Sequence, residues 1–162
     1  MNVEKLVVYR VESPIVADNL HIGDAINIPT KCDNLVESPT KAASEDFFET
    51  IRLNSFNHLP SRLSSLFVFP REDAVVELWV SLNSRFKVCK YALLSLELTG
   101  ELFWFDEDLF TKAGVPCYHE QIESLATKYW GSASCSPSGF VLPEGLFRGV
   151  AIIKQIELRT YP

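Results

Sequence analysis

Short apolar runs, broken by proline and glycine, dominate the N-terminal part of the chain. Leu6-Val7-Val8-Tyr9-Arg10-Val11 is rich in β-branched residues and predicts a buried strand. It stops at Ser13-Pro14, where proline removes a ladder donor. Residues 15–43 predict a long irregular stretch around Gly23, Pro29 and Pro39, with no linker that would separate two domains. Ser44-Glu45-Asp46 then has the look of an N-cap followed by first-turn acids. Phe47, Phe48, Ile51 and Phe56 continue at helical spacing.

Ser64 to Phe69 predicts a second strand, stopped by Pro70. From Arg71 to Asn83 the apolar positions Ala74, Val75, Leu78, Trp79 and Leu82 recur with the period of an amphipathic helix. Lys90 to Leu98 predicts a third strand turning at Thr99-Gly100, with Leu102 to Phe105 extending it or pairing with it. His119 to Trp130 predicts a helix, with Ile122, Leu125, Ala126 and Tyr129 on its apolar face. Phe140-Val141-Leu142 and Val150 to Ile156 predict closing strands on either side of a glycine-flanked turn. About three helices among five or six strands, without regular alternation, imply a mixed or antiparallel α+β sheet in a single domain over 1–162.

Composition sharpens this picture. The chain is 47% hydrophobic and 22% charged, which is globular and not disordered. No apolar run approaches the roughly 20 residues of a membrane-spanning helix, and no signal peptide is visible at Met1-Asn2-Val3-Glu4-Lys5. The four cysteines lack metal-finger spacing and read as reduced cytosolic thiols, so a cytoplasmic location is expected. A net charge of −6 argues against general nucleic-acid binding. Residues 52–90 nevertheless carry six basic and three acidic groups, a local excess suited to a small anionic ligand or to nothing in particular.

Nucleotide-binding, metalloprotease and hydrolase signatures are absent, and His21, His58 and His119 are isolated from one another. Three segments carry chemistry of interest. Arg10 interrupts an apolar strand, either to pair with a structural carboxylate or to place a guanidinium fork on phosphate or ribose. Ser61, Arg62, Ser64 and Ser65 gather just before the second strand. The serines serve either turn geometry or a ribose, and Arg62 either a phosphate or the solvent. Glu144 stands between an apolar strand and a turn, as a solvated side chain or as a catalytic acid.

In order and strand context these segments resemble the ADP-ribosyltransferase superfamily. That family has an Arg or His on its first strand, a serine motif on another strand and a Glu beginning a late one. Tyr9-Arg10, then Ser61 to Phe69, then Pro143-Glu144-Gly145-Leu146-Phe147-Arg148-Gly149 look like those three motifs. The stretch Arg71 to Leu98 also looks like small phage-encoded anti-CRISPR ADP-ribosyltransferases. The resemblance implies a split-sheet fold and an effector, phage or bacterial, that transfers ADP-ribose from NAD+ to a protein in the cytoplasm, its own or a host's. It further implies catalytic roles for Glu144, Arg10 and Ser64. NAD+ would lie against Tyr9, Arg10, Ser61, Arg62, Ser64, Ser65, Phe67 and Trp130.

Arginine-modifying members typically carry Glu or Gln two residues before the catalytic Glu. Here that position is Leu142, which points away from arginine as the acceptor. NAD+ hydrolysis is one alternative. Another is a non-catalytic inhibitor or adaptor acting through the acidic segment Glu101 to Asp108, which otherwise reads as a solvated hairpin tip.

Overall fold

The computed structural model describes residues 1–26, 39–76, 89–115 and 121–161. It is an α+β protein with an open, antiparallel five-stranded sheet. The strands are β1 (Asn2–Glu12), β2 (Ala25–Ile26), β3 (Leu66–Val68), β4 (Cys89–Asp106) and β5 (Pro143–Tyr161). They pair in the order β1-β4-β5-β2, and β3 also pairs with β5. Among the described residues the helices are α1 (Pro14–Ala17), α2 (Pro39–Ser55), α3 (72–76), α4 (Glu107–Ala113) and α5 (Ile122–Gly131). The expected three helices therefore become five, because α1 and α4 are too short to show a helical period.

The chain divides into two compact units built from interleaved segments. The first comprises Met1, Ile28–Phe67 and Leu102–Arg148; the second comprises Asn2–Asn27, Val68–Glu101 and Gly149–Pro162. Within the first unit α5 packs against α2 and α4. Phe48, Phe105, Phe110, Tyr129 and Trp130 form its buried centre. Phe105 stacks on Tyr129 at 4.9 Å, Trp130 meets Tyr129 edge-on at 4.9 Å, and the Trp130 indole donates to the Phe48 carbonyl at 2.8 Å. Satisfying that N–H inside the core lets so large a ring be buried without penalty.

In the second unit β1 pairs with β4 from Asn2↔Glu101 to Glu12↔Ala92. Leu94, Leu96 and Leu98 are buried while Ser95 and Glu97 between them are not, the alternation a pleat requires. Lys5 adopts φ 56° where the register shifts between Glu4 and Leu6, a bulge that bends the strand. Tyr9 and Phe69 exchange both backbone bonds at 2.8 Å, and Phe69 packs with Val75, Tyr91 and Leu93.

Several expectations are corrected. The turn at Thr99-Gly100 is absent: Gly100, at φ 154°, lets β4 run on through Leu102 to Phe105. The turn before Val150 is likewise replaced by one continuous β5, with Gly149 at φ 146°. Phe140-Val141-Leu142 is not a strand, because the Val141 and Leu142 N–H groups donate to the Asp106 carboxylate at 3.2 and 3.0 Å. Helix α2 opens at Pro39, where a missing N–H costs nothing, so Ser44-Glu45-Asp46 lies inside the helix and does not cap it. The acidic segment is no hairpin tip but the junction of β4 and α4, with Glu107 buried and accepting from Thr111 at 2.7 Å. The second expected strand shortens to β3 behind a 3₁₀ turn at Arg62–Ser64. The expected helix from Arg71 is described over 72–76, and its part from 77 to 83 lies outside the described residues, as do His119 and residues 27–38 of the expected irregular stretch 15–43, whose described parts hold most of α1, β2 and the start of α2.

Candidate functional site

The first unit buries a charge cluster. Ser61 caps the 3₁₀ turn, its hydroxyl accepting from the Leu63 N–H at 3.1 Å, and this geometry turns Arg62 inward. Arg62 is 5% exposed, so the solvated reading of that residue is set aside. Its Nε donates to Glu45 Oε2 at 2.9 Å and its Nη2 to Glu45 Oε1 at 3.1 Å. Its Nη1 donates to the Tyr129 hydroxyl at 2.8 Å and also to Glu144 Oε1. The Tyr129 hydroxyl in turn donates to Glu144 Oε1 at 2.6 Å. Phe110 covers the guanidinium face, its ring centre 3.8 Å from the central carbon, and Phe67 lies at 4.9 Å. An arginine that is desolvated, fork-paired and stacked uses every feature in which it differs from lysine.

Four elements deliver these groups: Glu45 from α2, Arg62 from the 3₁₀ turn, Tyr129 from α5 and Glu144 from the start of β5. Glu144 is 2% exposed. Its Oε1 takes both hydrogen bonds, and its Oε2 accepts none among the described residues. Burial raises the Glu144 carboxyl above its ordinary range, outweighing Arg62 and the Tyr129 bond. Burial also lifts the Tyr129 phenol well above its usual value, and Glu144 adds to this, so it stays a donor. Burial opposes the Arg62 charge as well, but Glu144 and Glu45 outweigh it and hold the guanidinium ionised.

A second, half-open cluster flanks the first. Glu49 pairs with Arg52 through two bonds, at 2.7 and 3.0 Å, and accepts from the Ser61 hydroxyl at 2.9 Å. Arg52 also donates to the Leu59 carbonyl at 2.9 Å, tying α2 to the turn that precedes Ser61. Burial pushes the Glu49 carboxyl up, but Arg52, Ser61 and the charge of Arg148 outweigh it and hold it below its usual value.

The sequence candidates separate accordingly. Arg62 and Glu144 are in contact, and their elements lead into paired strands, β3 and β5. Of the three serines, Ser64 is exposed, while Ser61 serves Glu49 and Ser65 donates to the Ser61 carbonyl at 2.6 Å. Phe67 lies beside Arg62, and Trp130 is a core ring. Arg10 and Tyr9 belong to the second unit, where Arg10 pairs with Glu12 at 2.5 Å, two residues along the same strand face. Sequence reasoning missed Glu45 and placed Tyr129 only as core. The available signal was spacing: Glu45, Phe48 and Arg52 lie at i, i+3 and i+7, so two charged residues share the stripe of a buried phenylalanine.

The fold and this cluster define an α+β protein whose first unit encloses an ion-paired acidic centre. The chain belongs to the family described as Protein of unknown function (DUF2441), whose model matches residues 11–157. No curated protein matches the sequence. No helix among the described residues is long and apolar enough to cross a membrane.

Proposed function

We propose that the protein is an NAD+-dependent ADP-ribosyltransferase acting in the cytoplasm on a protein acceptor, with Glu144 as the carboxylate that steadies charge on the ribose. The observation that carries this reading is Glu144 Oε2, a buried carboxylate oxygen without a donor at a centre with more acid than base. Perturbed, buried titratable groups of this kind concentrate at functional sites.

The chemistry asks for that oxygen. When the bond between ribose C1 and nicotinamide nitrogen breaks, its electron pair leaves with the nicotinamide. Positive charge then develops across C1 and the ribose ring oxygen. A carboxylate that accepts a hydrogen bond from the neighbouring 2-hydroxyl stabilises that charge more in the transition state than in the ground state. Glu144 keeps Oε1 on Arg62 and Tyr129, which fix its orientation, and offers Oε2 to the hydroxyl. The acceptor forms the new bond to C1 and gives up its proton. Leu142, two residues before Glu144, supplies no second carboxylate, consistent with an acceptor other than arginine. Reaching Oε2 requires the packing around Glu144 to open to the ribose edge. The reading rests on residues of the first unit alone.

Purified protein and its Glu144→Gln variant, incubated with labelled NAD+ alone and with cell lysate, test it. Label on a lysate protein with wild type only is the expected result. Nicotinamide release without labelled protein makes water the acceptor. No turnover by wild type, or equal turnover by both forms, overturns the reading.

A further inference from the structure

The first unit buries two carboxylates, Glu45 and Glu144, around one guanidinium, that of Arg62. With both ionised the cluster is negative by one charge in surroundings of Phe48, Phe105, Phe110 and the Tyr129 ring. An uncompensated charge in such a place costs far more than a neutral acid.

The groups that face Glu144 can be taken element by element. Helix α2 brings Glu45; its next acid, Glu49, is paired with Arg52. The 3₁₀ turn brings Arg62, and α5 brings the Tyr129 hydroxyl. Helix α4 brings the Phe110 ring; its Glu107 accepts from Thr111 and its Asp108 pairs with Lys112. No second cation among these reaches the cluster.

The two acids are unequally served. Glu45 receives the Arg62 fork on both oxygens, whereas Glu144 is bonded on Oε1 only. We infer that Glu144 carries a proton on Oε2 at neutral pH, so that the resting cluster is neutral, and that a cationic ligand arriving at this site displaces it. In that step the O–H bond breaks, its electron pair stays on Oε2 and the proton passes to water. The displacement rests on the reading of the site as one for NAD+, whose nicotinamide ring is cationic; the resting proton does not. Burial of the carboxyl acts in the same direction.

Infrared spectra of the full-length protein test both halves. A protonated carboxylic carbonyl band at neutral pH is expected in wild type and absent in Glu144→Gln. It should also vanish in Glu45→Gln, where one guanidinium balances one carboxylate and Glu144 ionises. Wild type without the band overturns the resting proton, and so does a band that persists in either variant. Should Glu144→Gln fail to fold, wild type and Glu45→Gln still decide. Adding NAD+ should remove the wild-type band; a band that survives saturation with NAD+ overturns the displacement alone, and absence of NAD+ binding does the same while leaving the proton in place.

Discussion

The two units use the same pair of side chains, arginine and glutamate, to opposite ends. In the first, Arg62 and Glu144 meet with side chains 6% and 3% exposed. In the second, Arg159 meets Glu72 and Glu157 with side chains about a third or more exposed. Water screens the second pair and leaves it little net energy. The first is desolvated, so removal of Arg62 exposes the full cost of a stranded buried carboxylate. Ion pairs that look alike in a contact map are thus a surface feature in one place and a structural commitment in the other.

Arg62→Leu should show the largest effect. It leaves the buried Glu45 carboxylate without its guanidinium and should lower stability by about 3–5 kcal/mol in denaturant unfolding. Arg159→Ala should cost at most about 1 kcal/mol in the same experiment. Comparable losses for the two would dissolve the distinction between the units. Tyr129→Phe keeps the ring on Phe105 but deletes the hydroxyl that links Arg62 to Glu144. A loss of about 1.5–3 kcal/mol is expected for bonds to charged partners. Asp106→Ala releases the Val141 and Leu142 N–H groups, which are less buried, and should cost about 1 kcal/mol.

The smallest effect is a sign in the pH profile. Glu144 is raised in the folded state, so its contribution is complete below its unfolded value and is lost as pH rises through its folded value. Mild acidification from neutrality should therefore favour folding through Glu144, and Glu144→Gln should abolish that gain. Glu49 runs the other way: its contribution holds above its unfolded value and is lost as pH falls through its lower folded one. Unfolding midpoints measured across pH for both forms separate the two.

Much of the framework was legible in the sequence because it depends on local period. The run Leu6 to Val11 became β1, and the apolar face of Ile122 to Tyr129 became α5. The α+β class followed from the order of such elements. What failed was local punctuation whose meaning is set at a distance. Gly100 and Gly149 look like turns, yet they sit inside long paired strands. Val141 looks like a strand residue until the Asp106 carboxylate takes its N–H. Glu45 looks like a first-turn acid until Arg62, seventeen positions on, turns it into half of a buried pair. Arg62 and Glu144 were each visible as candidates; their contact, across eighty-two positions, was not.

The central claim is that the acidic excess around Glu144 recognises a positively charged nicotinamide. Calorimetric binding of NAD+ and of its reduced, uncharged-ring form to wild type and Glu144→Gln tests this most directly. Tighter binding of NAD+ by wild type, with the preference lost in Glu144→Gln, is the predicted result. Equal affinity of wild type for both forms, or binding of neither, would contradict it.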